Sequence, residues 1–195
     1  MEKPPLFLFL DWDDFYWDIV RLSELVEDSG FRPDAVVAIA RGGWVVGRIL
    51  ADLLDVDKLY SIRITYYTGV YARAKKPRIM DDLPRRADFG KALIADDVAD
   101  TGETLRFAKR HLREAHGVEE ILSATPYKKP WAGDEPDFYV RLTDRWIVFP
   151  HSYKEDILAA YSILREKDPN VDAETLVSMG FDRALTRYIL ERFGK

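Results

Sequence analysis

Residues 93–105 read LIADDVADTGETL. A short apolar run is followed by two adjacent acids, a third acid at Asp100, and Thr-Gly-Glu-Thr opening a helical pattern. That order is strand, loop, helix N-terminus, and it aims unpaired backbone N–H groups and the positive end of a helix dipole at one point. A phosphate suits the point. Asp96 and Asp97, at the end of the strand, can accept hydrogen bonds from a vicinal diol or help hold a metal-bound sugar. The amides and hydroxyls of Thr101, Gly102, Glu103 and Thr104 can wrap a terminal phosphate, with Gly102 allowing close backbone approach. A sugar phosphate satisfies both halves.

The segments on either side predict the fold. Upstream, AVVAIA at 35–40 is short, β-branched and unalternating, as in a strand buried on both faces of a parallel sheet. Arg41-Gly42-Gly43 interrupts it, and helical spacing resumes at Val45, Ile49 and Leu53, which places the glycine turn where ligands bind in open α/β sheets. Before it, Trp12, Phe15, Ile19, Leu22 and Val26 recur at helical spacing behind Asp11, with Gly30 as a stop signal. Residues 59–67 alternate as a strand should. Residues 68–86 carry Gly69, Pro77, Pro84 and several basic residues without periodicity, a loop long enough to serve as a lid.

Downstream, residues 103–115 predict a helix ended by Gly117, and 119–125 a strand. Residues 128–133 read as a loop, and 138–142 and 146–149 as short strands. Strands alternate with helices, so the expectation is an α/β protein with a doubly wound, mainly parallel sheet. The expected organisation is one domain over 1–152 and a helical C-terminal appendage over 153–195. In that appendage LVSMGFDRALTRYIL slightly resembles the Met-Gly-Phe turn of ubiquitin-associated domains and is read as a helix-turn-helix packing unit.

Composition narrows the chemistry. The 195 residues include no cysteine and three histidines, His111, His116 and His151, that show no pairing at metal-ligand spacing. Disulfides, zinc–thiolate sites and cysteine nucleophiles are thereby removed. Catalysis must use carboxylates, backbone amides, basic side chains and a borrowed Mg²⁺. A net charge of −5 argues against broad electrostatic binding of nucleic acid. No apolar run approaches the roughly 20 residues of a membrane span, and the N-terminus lacks a secretory layout, so a cytoplasmic protein is expected.

With these parts in place, LIADDVADTGETL resembles the 5-phosphoribosyl-1-pyrophosphate signature of type I phosphoribosyltransferases. The order of parts from about Asp34 to Pro150 is similar to the purine salvage branch, especially the xanthine/guanine/hypoxanthine enzymes. The resemblance implies the type I fold with a small hood and a reaction in which a purine nitrogen displaces pyrophosphate from the anomeric carbon. It implies that Asp96 and Asp97 hold the ribose hydroxyls and, largely through those hydroxyls and water, Mg²⁺. Asp100 to Thr104 bind the 5-phosphate, and Asp100 is also placed to assist proton movement at the purine.

The same resemblance makes Arg41-Gly42-Gly43 the pyrophosphate loop, with a cis peptide at Ala40–Arg41. Tyr66 and Tyr67 begin the lid, and excluding water from a carbon that water could attack gives such a lid a chemical purpose. Lys129 donates to a 6-oxo group, and Trp146 and Ile147 lie on the strand where the base stacks. Hypoxanthine, guanine or xanthine is the favoured acceptor, with adenine open, and a homodimer or homotetramer is implied. The competing reading is a non-catalytic regulatory protein that senses phosphoribosyl pyrophosphate.

Overall fold

The computed structural model describes residues 6–67, 76–83 and 88–194, with the side chains of Tyr67 and Lys76 outside that set. Much of the expected lid, residues 68–75 and 84–87, therefore lies outside the described residues. Two compact units form: Tyr16–Asp144, and a second built from Met1–Phe15 with Arg145–Lys195.

The larger unit is organised on a seven-stranded sheet. Its strands are β2 (Ala35–Ala40), β3 (Leu59–Tyr67), β4 (Lys76–Asp81), β5 (Lys91–Ala95), β6 (Val98–Ala99), β7 (Glu120–Lys128) and β8 (Phe138–Leu142), numbered after β1 (Phe7–Phe9) of the smaller unit. The order is β4-β3-β2-β5-β7-β6, with β8 on the other edge of β7. Every pairing is parallel except that of β4 with β3. The sheet is thus mainly parallel, as expected. β4 corrects the reading of residues 68–86 as an unbroken loop, because Ile64 pairs with Ile79 and Tyr67 with Lys76 in an antiparallel ladder.

Helix α1 (Trp12–Asp28) gives most of its length to this unit, joined by α2 (Gly43–Leu53) and α3 (Glu103–His116). Val37, Ile39, Ile62, Ala92 and Ile94 of the sheet share one core with Leu105, Ala108 and Leu112 of α3. Both faces of the central strands are covered, which is why β2 and β5 are continuous apolar runs rather than alternating ones. Asp18 is fully buried on α1 and is satisfied by Tyr127 Oη at 2.5 Å, Arg141 Nε at 2.9 Å and Arg21 Nη1 at 3.0 Å. A buried carboxylate is tolerated only when paired and hydrogen-bonded in this way.

In the smaller unit β1 pairs in parallel with β9 (Trp146–Val148), aligning Phe7 with Trp146 and Phe9 with Val148. Phe7 and Val148 share a core with Ile157, Ala160, Leu176, Phe181 and Ile189. These come from α4 (Tyr153–Lys167), α5 (Ala173–Ser178) and α6 (Arg183–Phe193). Asp172 caps α5 through a capping box with Thr175, and Asp182 caps α6 at the Leu185 amide. The compact units therefore divide the chain differently from a boundary at 152/153, since β1 and β9 bury their apolar faces against the C-terminal helices. No described helix is long and apolar enough to cross a membrane.

Candidate active site

The site of the larger unit forms where β5 ends. Ala92 to Ala95 are buried, and the ladder continues one step further through the Asp96 amide, which donates to the Ala124 carbonyl at 3.2 Å. The chain then turns, with the Asp97 amide donating to Asp96 Oδ1 at 3.1 Å. β6 follows at once along β7, fixing the exit of the acid pair. Gly102 begins α3 with φ of 82°, a left-handed conformation that other residues adopt at a cost. A Cβ there would also lie 2.0 Å from the Asp134 carbonyl oxygen.

No side chain of Gly102 can cap α3, and the Glu103 amide reaches only Thr101 Oγ1, at 3.3 Å. The helix therefore opens on a pocket of ≈ 370 Å³ lined by Tyr66, Asp96 and Val98 to Leu105. This is an anion-binding arrangement. Tyr66 Oη and Thr104 Oγ1 share a hydrogen bond of 2.8 Å, joining the end of β3 to the first turn of α3. Tyr67 is the last residue of β3, and its side chain lies outside the described residues.

The second loop, Arg41-Gly42-Gly43, meets the acid pair directly. The Ala40–Arg41 peptide is cis, as the resemblance implied. Gly42 has ordinary helical dihedrals, so its requirement is space: a Cβ would sit 1.9 Å from Asp97 Oδ2 and 2.4 Å from Asp97 Cγ. The bare backbone of the loop is thus seated against the Asp97 carboxylate.

Asp96 retains some surface, yet desolvation first, and the Asp97 charge second, raise its carboxyl well above the ordinary value. A cation at the pair would offset both effects. The donors here are oxygens only, and Mg²⁺ takes one or two carboxylates together with water and substrate phosphates, so the residues fit that ion.

A third loop lies against the N-terminal end of α3. The Gly133 amide donates to the Thr101 carbonyl at 3.0 Å, the Trp131 indole to Asp100 Oδ1 at 2.8 Å, and Arg106 pairs with Asp134 at 3.1 Å. Trp131 and Asp134 were not singled out from the sequence. The available signal was a tryptophan in a polar turn, WAGD, one proline after the lysine pair.

The two lysines separate cleanly. Lys128 is held by Glu135 and lies 4.9 Å from the Tyr139 ring centroid. Lys129 is buried, with Nζ 5.7 Å from the Trp131 ring centroid. Burial pulls its pKa down, against the opposing pull of Asp100 and Asp144. Trp146 and Ile147 fall in the smaller unit, on β9, where Ile147 is buried and the Trp146 indole donates to Asp156 Oδ1 at 2.9 Å.

The histidines correct an expectation. His111 and His116 come together, each ring Nε2 lying 2.9 Å from Asp82 Oδ1.

A mainly parallel sheet carrying an acid pair, a bare-backbone loop and an open helix N-terminus at its carboxyl edge defines the class of open α/β proteins that take a phosphorylated ligand there. Comparison of the sequence with known families is more specific. The phosphoribosyl transferase domain matches residues 9–157, and the chain belongs to that family. Xanthine-guanine phosphoribosyltransferase of Nitratidesulfovibrio vulgaris is 32% identical over 142 residues, covering 71% of this chain and 80% of the relative. The enzyme of the same name from Desulfotalea psychrophila is 32% identical over 161 residues, covering 81% and 93%. Among solved structures, the purine phosphoribosyltransferase of Pyrococcus horikoshii superposes with a TM-score of 0.65 at 32% identity, covering 75% of this chain and 93% of that one.

Proposed function

We propose that this chain is a purine phosphoribosyltransferase, joining a purine base to the phosphoribosyl group of 5-phosphoribosyl-1-pyrophosphate and releasing pyrophosphate. One observation carries the assignment of residues: Gly42 is seated on the Asp97 carboxylate, and the chain after Asp97 leads into the open N-terminus of α3. The carboxylate, the open helix N-terminus and the bare-backbone loop suit a diol, a 5-phosphate and a pyrophosphate leaving group in turn.

In this reading Thr101 to Thr104 and the first amides of α3 hold the 5-phosphate, and Asp96 and Asp97 accept from the two ribose hydroxyls. The backbone of Gly42 and Gly43 and the Arg41 side chain take the pyrophosphate. A purine ring nitrogen forms the new bond to the anomeric carbon as the carbon–oxygen bond to pyrophosphate breaks, and the nitrogen's proton passes toward Asp100. Asp96 and Asp97 would hold Mg²⁺, largely through the ribose hydroxyls and water, and the ion would supply charge neutralisation for the departing group.

Lys129 is the donor to the 6-oxo group. It is buried beside Trp131, on the loop that meets Asp100, and a fixed donor there supports hypoxanthine, guanine or xanthine ahead of adenine. Trp146 and the Ile147 backbone present the stacking surface, and Tyr66 and Tyr67 lead into the segment that covers the sugar. A homodimer or homotetramer in the cytoplasm is the setting expected for such an enzyme.

The test is a turnover assay with Mg²⁺, phosphoribosyl pyrophosphate and each of adenine, hypoxanthine, guanine and xanthine. Formation of a nucleoside monophosphate from a 6-oxopurine in preference to adenine is expected. No product from any base, with ligand-dependent retention on DNA instead, would favour a regulatory role.

A further inference from the structure

Away from the pocket, Asp82, His111 and His116 converge at the far end of α3. Asp82 follows β4, while His111 and His116 lie on the last two turns of the helix. One ligand atom from each lies within 4.8 Å of the others. The two Nε2 atoms approach the same carboxylate oxygen at 2.9 Å, and the imidazole rings stand 5.2 Å apart at 72°. Two side chains five residues apart on a helix point about 140° apart. They meet here because the Asp82 carboxylate lies between them.

We infer that this cluster is a binding site for a divalent transition-metal ion of the zinc type, distinct from the oxygen-only pair at Asp96 and Asp97. Two imidazoles and one carboxylate form a donor set that suits zinc, cobalt or nickel and is poor for Mg²⁺. A tetrahedral ion with bonds of about 2.0–2.1 Å holds neighbouring ligand atoms roughly 3.3 Å apart. Each 2.9 Å contact then has to open by only a few tenths of an ångström. Asp82 and His111 are partly exposed, which leaves a path from solvent and room for a water as fourth ligand. The Leu83 amide donates to the same Asp82 Oδ1 at 2.8 Å and helps hold the carboxylate in place.

The same geometry sets the strength. Metal binding through Nε2 places the neutral ring's proton on Nδ1, and Nδ1 of His116 is buried with no partner. Sites that lack the acceptor behind a ligating histidine bind about 10–100-fold more weakly than those that have it. The ion is therefore an exchangeable one rather than a permanent structural metal. Its occupancy ties the end of β4 to the helix whose opposite end forms the phosphate site.

Titration of the chelator-treated full-length chain with Co²⁺, in millimolar Mg²⁺ to occupy the oxygen sites, tests this. Visible absorption bands of a four- or five-coordinate ion, saturating at one equivalent and removed by Zn²⁺, are expected. Zinc should also perturb the ¹⁵N imidazole resonances of His111 and His116 and leave those of His151 unchanged. His111→Gln should weaken Co²⁺ binding at least tenfold while preserving the circular dichroism spectrum and turnover with Mg²⁺. If His116→Gln fails to fold, Asp82→Asn supplies the second variant. Only the spectrum of hydrated Co²⁺, or binding that survives in His111→Gln and Asp82→Asn alike, overturns the site.

Discussion

Trp131 donates its indole N–H to Asp100 Oδ1 at 2.8 Å, so the acid proposed to take the purine's proton is oriented by the loop that also carries Lys129. Trp131→Phe keeps the ring beside Lys129 and removes only the donor. The tryptophan is 56% exposed, which brings the bond below the range for hydrogen bonds to charged groups and into that of ordinary ones, about 1 kcal/mol. The expected result is a roughly fivefold fall in kcat/KM for the base, with stability lowered by no more than about 1 kcal/mol. Steady-state kinetics with the base as varied substrate measure it, and equal kcat/KM in the two proteins would detach the indole from the chemistry.

Gly42→Ala drives a methyl group into the Asp97 carboxylate, which must then swing away from its place beside the glycine loop. Displacing a substrate-positioning group by about 1 Å costs on the order of 100-fold in rate. A loss of that size in kcat/KM for phosphoribosyl pyrophosphate is expected. Gly30→Ala is the control, because Gly30 has φ of +77° but nothing within 4 Å of its Cβ position. It should lose about 1 kcal/mol of stability to the left-handed backbone and retain full activity. Denaturant melts alongside the kinetics separate the two effects.

Asp96→Asn should abolish most turnover and yet stabilise the ligand-free fold, increasingly so as pH rises. Burial, then Asp97, raises the folded-state pKa of Asp96 above its unfolded value. An acid shifted upward binds its proton more tightly when folded, so it exerts no penalty below the unfolded pKa. The penalty grows as pH climbs toward the folded one. Thermal melts in chelator should show a larger advantage of Asp96→Asn at pH 8 than at pH 4. An advantage independent of pH would contradict the buried-acid account.

Asp156 links the C-terminal helices to β9, accepting from Trp146 Nε1 at 2.9 Å and from Ser152 Oγ at 2.7 Å. Asp156→Ala leaves both donors short of a partner and should destabilise the fold by about 1–3 kcal/mol. If Trp146 is the surface on which the base stacks, KM for the base rises severalfold while KM for phosphoribosyl pyrophosphate stays put. Parallel rises in both would place the role of Trp146 elsewhere.

The legible parts of the molecule were those with a local cause. AVVAIA and KALIA announce strands buried on both faces, and Gly117 closes α3 from a left-handed φ of 69°. The strand-loop-helix grammar of residues 93–105 placed the pocket. β4 was hidden because KPRIMD is polar, carries a proline and lies at the sheet edge, where charge and proline are tolerated and apolar alternation is not required. The Trp131–Asp100 bond and the Asp82–His111–His116 cluster join residues about 30 apart in sequence from separate parts of the chain, and no periodicity encodes such meetings. The acid pair was visible as chemistry, but its contact with Gly42 depended on how two βα turns converge.

Of the described strands, β1 is synthesised first and its partner β9 last. At about 5–20 residues per second, on the order of ten seconds pass on the ribosome between Phe9 and Trp146. Throughout that interval Phe7 and Phe9 have neither their ladder nor the helices that cover them, while all of Tyr16–Asp144 is being made. The nascent chain thus carries a short aromatic strand whose early capture by the wrong edge is a hazard, and the unit it belongs to is the last to assemble.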